Sequence, residues 1–340
     1  MVKNKGKKIA IFLVVSLMAF TAIAKIRSYC GARAFAENKD KSFYTVLVCG
    51  KDAGGHNTDV MMLASLDLEN GKLNILQLPR DTFVNPVSSG LGVTRVNAVY
   101  SAEYSRAESR GAEREKEAMA GLCRFLSDSL SVEIDRYVLM GTKAFARAVD
   151  AVGGIEYEVP KDMHYDDPVQ GLHIHLSRGL QTLDGKGAEQ LLRYRSGYAA
   201  GDLGRVDVRS GFLRAALSQV KRKMTAGAAA SLAASLALSV TTDMSIYEIS
   251  RFASFLHGLS DENVNIKTIS GSAVQNPKTG AWIYYALNRE AACADIREYI
   301  TPAGEQAAPE SFDKNAVFTD DPHGENPYIS KYYYSKIKKE

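Results

Sequence analysis

With 340 residues, 46% of them hydrophobic and 24% charged, the chain has globular composition and enough apolar material for a sizeable core. The formal net charge is only +3, which excludes a wholesale polyanion binder and requires any anion site to arise from local clustering. Four cysteines, Cys30, Cys49, Cys123 and Cys293, are too scattered for a metal knuckle or a disulfide scaffold.

Lys3, Lys5, Lys7 and Lys8 precede the apolar stretch "IAIFLVVSLMAFTAIA" at 9–24, and Lys25 follows it. That stretch is short against the roughly 20 residues that span a bilayer, but flanking lysines snorkel and lengthen the effective span. We read a cytoplasmic stub at 1–8, a single-pass membrane anchor at 9–25 with its N-terminus inside, and a polar stalk at 26–42. A cleaved signal peptide, processed near "ARAFA" at 32–36, is the alternative. Either way the bulk of the chain is expected outside the membrane.

Strand-like runs follow at "YTVLVCG" (44–50), "VMMLASLDL" (60–68) and "KLNILQLP" (72–79), the first two joined by the loop "KDAGGHNTD". Helical periodicity marks 112–130 and 142–152, the second ended by Gly153-Gly154, and "GIEYEVP" is a further strand. The alternation predicts an α/β (mixed α+β) domain at 43–300, a single globular unit with a central sheet flanked by helices, behind the membrane helix. "AGAAASLAASLALSV" (226–240) is expected to be a packed helix rather than a second span. Residues 301–340 form a C-terminal tail rich in turn-formers and tyrosines.

Two constellations break local rules. The stretch 187–209 gathers Arg193, Arg195, Arg205 and Arg209 beside aliphatic residues. Arg193 and Arg195 fall at the end of a short helix, "DGKGAEQLL", and Arg205 falls in the first turn of the next, with Asp202 as its N-cap. A cation there opposes the helix macrodipole unless an anion binds at the same place. The bland alternative pairs these arginines with Asp202, Asp207 and Glu189. Upstream, Asp52 and Asp59 flank a Gly-rich loop between two strands and can hold a hard cation such as Mg²⁺ (or Mn²⁺). "LPRD" then sets Arg80 and Asp81 at a strand end. Arginines and carboxylates at element ends suit a metal-bound pyrophosphate.

His173 and His175 alternate on a strand, with "MHYDD" just upstream, so two imidazoles on one face could ligate zinc. No third ligand has compelling spacing, and they read as exposed strand histidines. The aliphatic strands and the Ala/Leu-rich helix could house a lipid tail, although ordinary core is the simpler reading of each residue.

The motifs "VLVCGKDAGGHNTDVMMLASLDLENGKLNILQLPRDTFV", "RVNAVYS", "VGGIEYEVP", "LHIHLSRGLQTLDGKGAEQLLRYR" and "GDLGRVDVR" occur in the order and spacing of the LytR-CpsA-Psr (LCP) family, which residues 44–217 resemble. The resemblance implies an extracytoplasmic phosphotransferase that moves a glycopolymer (wall teichoic acid or capsular-type polysaccharide) from undecaprenyl-pyrophosphate to a peptidoglycan sugar hydroxyl. It places Asp52 and Asp59 as metal-associated carboxylates and Arg80 in the proline-arginine-aspartate motif. Arg193, Arg195 and Arg205 correspond to pyrophosphate-binding arginines, and Arg95 stands where a basic residue precedes the family's Asn-Ala pair. Two positions depart from the pattern: Asn57 where the family often has Arg, and Arg209 where it often has Gln. Arg209 is nevertheless counted with the pyrophosphate-binding set.

Rival readings are a lipid-pyrophosphate hydrolase using the same residues and a polymer-binding wall protein without catalysis. A nucleic-acid partner is not expected, because only about eight residues precede the membrane segment.

Overall fold

The computed structural model describes residues 41–302, except 53, 56, 87–88, 168–171, 276–281 and most of 195–239, together with 318–319. The membrane segment expected at 9–25, the Ala/Leu-rich stretch 226–239, and Arg195, Arg205 and Arg209 lie outside the described residues. Among those described, no helix is long and apolar enough to cross a membrane.

The first three strands form where the apolar runs are unbroken: β1 (Phe43–Lys51), β2 (Thr58–Asp67) and β3 (Lys72–Gln77). Every residue from Tyr44 to Gly50 is buried, and so is Met61 to Leu66. A strand buried on both faces reads as a continuous hydrophobic run rather than an alternating one. These aliphatic side chains are therefore core. Gly71 turns β2 into β3 at φ 61, a left-handed backbone that costs glycine least.

Two helices follow, α1 (Val99–Arg106) and α2 (Gly111–Leu130). Ala118, Met119, Leu122, Leu126 and Leu130 are buried along α2 at spacings of one to four residues, the stripe of a helix with one face inward. Next come β4 (Arg136–Met140) and α3 (Thr142–Ala151), after which Gly153 and Gly154 both adopt positive φ. Four short strands, β5 (Ile155–Val159), β6 (Met163–Asp167), β7 (Leu172–Leu176) and β8 (Gly179–Leu183), lead into α4 (Gly185–Arg193). Asp184 caps α4 by accepting from Gly187 N at 2.7 Å. The remainder is β9 (Val240–Thr242), α5 (Ile246–Gly258), β10 (Val264–Thr268), β11 (Gly271–Gln275), β12 (Trp282–Asn288), α6 (Arg289–Tyr299) and β13 (Phe318–Thr319). Ser245 and Glu248 close a reciprocal capping box on α5.

The main sheet has six strands in the order β10-β3-β2-β1-β4-β9, with β9 antiparallel to β4. A three-stranded sheet, β11-β12-β13, and two hairpin-like pairs, β5-β8 and β6-β7, complete the strands. By internal contacts the chain divides into two compact units interleaved in sequence. One holds Leu66–Ile75 and Val138–Lys267; the other holds Phe43–Ser65, Leu76–Tyr137 and the chain from Thr268 onward.

In the first unit, α3 and α4 approach through their backbones. A Cβ built on Gly185 would fall on the carbonyl oxygen of Ala146, and Gly185 N donates to Asp150 Oδ1 at 2.7 Å. Gly185→Ala must therefore push the two helices apart. The expected cost is about 1–3 kcal/mol, read as a lower urea midpoint at unchanged slope; an unchanged midpoint would contradict this packing.

Candidate active site

The site is built in the second unit around the turn after β3. Thr82 donates to the Pro79 carbonyl through both its amide (2.9 Å) and its hydroxyl (2.7 Å), closing a tight turn with Arg80 and Asp81 at its centre. Backbone bonds then fix the turn on two flanks. Val96 N donates to Thr82 O at 2.9 Å and Asn97 N to Arg80 O at 3.2 Å. From β12, Tyr285 N donates to Asp81 O at 2.8 Å and accepts in return from Phe83 N at 2.9 Å through its carbonyl. With the backbone committed in this way, the Arg80 and Asp81 side chains are left to the site.

Arg80 is the centre of a charge chain. Its NH1 donates to Asp59 Oδ1 at 2.9 Å, and its Nε lies 3.4 Å from Asp81 Oδ2. Asp81 continues to Arg95, whose Nε lies 3.6 Å from Oδ1. Arg95 donates through NH2 to the Ile283 carbonyl at 3.0 Å, and its guanidinium stands 5.5 Å from the centroid of the Tyr284 ring. Burial works against the Arg80 cation, but the Asp59 and Asp81 carboxylates outweigh it and raise its pKa. Arg95 has 43% of its side chain exposed against 21% for Arg80, so it presents the more open cation.

Asp52 sits in the loop between β1 and β2. Its amide donates to Asn57 O at 2.8 Å and its carbonyl accepts from Gly55 N at 3.0 Å. Gly55 adopts φ 73. The Asn57 side-chain amide donates to Asp52 Oδ2 at 3.3 Å. Asn57 thus gives the Asp52 carboxylate a neutral donor that orients it. Beneath the loop, Lys51 Nζ pairs with Glu115 Oε1 of α2 at 2.6 Å. Cys49 is fully buried, and burial pushes its thiol well above the ordinary range, which removes it as a nucleophile.

Of the residues predicted from sequence, Arg80 and Asp59 are thus in direct contact, Arg95 joins them through Asp81, and Asp52 is held by Asn57. Arg193 belongs to the other unit. It ends α4 and pairs with Glu189 Oε1 one helical turn back at 3.2 Å; Glu189 is among the carboxylates expected to pair with these arginines if they were ordinary surface residues. The Ile283 carbonyl and Tyr284 are not among the site groups that the sequence points to. Asp81 is signalled by adjacency to Arg80; the β12 groups carry no sequence signal, lying about 190 residues from Arg95.

The LytR_cpsA_psr family model matches residues 15–297. The chain belongs to the LytR-CpsA-Psr family. Among curated relatives, the cell wall biosynthesis protein LcpA of Corynebacterium glutamicum is 30% identical over 238 residues, 66% of this chain and 45% of LcpA. This LytR-CpsA-Psr chain thus spans less than half of that relative's length. TagU of Oceanobacillus iheyensis, a polyisoprenyl-teichoic acid–peptidoglycan teichoic acid transferase by name, is 24% identical over 255 residues, 74% of each chain. The crystal structure of B. subtilis TagV shares the fold, with a TM-score of 0.56 at 22% identity over 77% of this chain and 99% of TagV.

Arg80→Met would leave Asp59 and Asp81, both mostly buried, without their shared cation. A hydrogen bond to a charged group contributes about 1.5–3 kcal/mol, so urea denaturation should show a loss of that order. Arg80→Lys should recover only part of it, because a point charge cannot serve two carboxylates through a planar fork.

Proposed function

We propose that this LytR-CpsA-Psr protein is a phosphotransferase that moves a glycopolymer from undecaprenyl-pyrophosphate to a peptidoglycan sugar hydroxyl. The observation that carries the reading is the Asp59–Arg80–Asp81–Arg95 chain of charges that begins at the start of β2 and runs through the turn after β3. The name of the relative TagU supports the substrate class. In this reading the acceptor oxygen forms a bond to the phosphorus that carries the glycan. The bridging P–O bond of the pyrophosphate breaks, and undecaprenyl phosphate leaves with the electron pair. Phosphoryl transfer of this kind asks the protein for positioning and charge stabilisation more than for covalent chemistry.

Asp52 and Asp59 offer only carboxylate oxygens, a hard donor set that fits Mg²⁺ or Mn²⁺. Bound there, the ion would neutralise pyrophosphate charge. Arg80, fixed by its two carboxylates, and Arg95, more open, would orient the phosphate oxygens. By resemblance Arg193, Arg195 and Arg205 are also expected to bind pyrophosphate, and Arg209, which stands where the family often has Gln, is counted with them for its charge. Asp52 or Asp59 would take the hydroxyl proton only if that carboxylate is not itself committed to the metal, since a ligating carboxylate is a poor base. The membrane anchor expected at 9–25 would keep this chemistry at the outer face of the membrane, where the lipid carrier is.

The test incubates the full chain with lipid-pyrophosphate-linked glycan, a peptidoglycan oligomer and Mg²⁺. Formation of a phosphodiester-joined product with release of undecaprenyl phosphate is expected. A chelator should stop it, and restored Mg²⁺ should revive it. Arg80→Ala and Arg195→Ala should each slow product formation by about 100-fold or more. Release of lipid phosphate without a joined product would instead identify a hydrolase, and saturable glycan binding with neither reaction a non-catalytic wall protein.

A further inference from the structure

β6 and β7 pair antiparallel in the register His164↔His175, Tyr165↔Ile174 and Asp166↔His173. Opposed residues share a face, and so do residues two apart on one strand. The pairing therefore collects His164, Asp166, His173 and His175 on one face as a two-by-two grid. The other face carries Met163, Ile174 and Leu176, all buried. The backbone amide of His175 donates to Gln190 Oε1 of α4 at 3.0 Å, which ties the strand to its helix.

Within the grid, two imidazoles converge on one carboxylate oxygen. Asp166 Oδ1 is 2.6 Å from His173 Nδ1 and 3.1 Å from His175 Nε2. The three ligand atoms lie within 4.8 Å of one another. On its other side, His175 Nδ1 faces His164 Nδ1 at 3.5 Å. All three ligand side chains are at least half exposed, so an ion can reach them from solvent. The sequence reading found no third ligand for His173 and His175; the strand opposite supplies it.

We propose that Asp166, His173 and His175 form a binding site for a divalent transition metal of the zinc class. Two nitrogens and one carboxylate oxygen are a borderline donor set, which favours Zn²⁺ over the hard Mg²⁺. To bind, His173 Nδ1 and His175 Nε2 must present lone pairs, so the His175 proton moves to Nδ1. There it meets His164 Nδ1, which can accept it. His164 is thus a positioning residue that holds His175 in the metal-binding tautomer, as partners of liganding histidines commonly do. Three protein ligands leave at least one coordination position open, so the ion is exchangeable rather than locked in. The site is separate from the Asp52 and Asp59 carboxylates in residues, unit and donor type.

Calorimetric titration of the full chain, free of any polyhistidine tag, with ZnCl₂ tests this. One saturable equivalent should bind and remain bound in excess Mg²⁺. His173→Ala and Asp166→Ala should each weaken binding about 100-fold, and His164→Ala about ten-fold. Co²⁺ should give visible d–d bands in the wild type that are absent from the His173→Ala/His175→Ala variant. These side chains are exposed, so far-UV circular dichroism should show the variants folded. No saturable Zn²⁺ binding, or binding unchanged in the double variant, would overturn the proposal.

Discussion

A guanidinium held between two carboxylates is the arrangement on which the active-site reading depends. Arg80 is mostly buried, and burial alone would penalise its charge; Asp59 and Asp81 reverse that penalty and keep the cation in place. The geometry has little freedom because Asp59 opens β2 while Arg80 and Asp81 occupy a turn fixed by backbone bonds to residues 96–97 and to β12. A phosphate arriving there would meet a cation already oriented, so little reorganisation is left for the reaction itself.

The neighbouring carboxylate is treated differently. Asp52 accepts a hydrogen bond from the neutral side-chain amide of Asn57. Arg95, stacked on Tyr284 and hydrogen-bonded to the Ile283 carbonyl, stands at the exposed end of the same chain of charges. Arg80 and Arg95 are thus the cations that the described residues fix in this chain of charges.

Legibility in the sequence followed the range of the interactions. The runs that became β1, β2 and β3 were readable because burial on both faces demands unbroken apolar residues. The helices at 111–130 and 142–151 were readable from periodicity. Asp52, Asp59 and Arg80 were visible as charges at strand ends, yet their contacts depend on strand order, which no local pattern encodes. Tyr284 escaped notice because an aromatic residue on a strand is ordinary until an arginine from elsewhere is laid over it. Arg193 shows the opposite case, because its partner Glu189 stands one helical turn back in the same helix, at a spacing the sequence itself displays.

The β6–β7 pair illustrates how a protein can hold polar geometry without polar scaffolding. Sliding β7 by a single residue would bring Ile174 and Leu176 into water and turn His173 and His175 inward. The apolar face therefore acts as a proofreader for the polar one: hydrophobic burial, indifferent to metals, rejects the odd-residue slips that would turn the histidines and Asp166 inward. Substitutions on the solvent face are thereby free to change which ion is bound without unsettling the strands that present it.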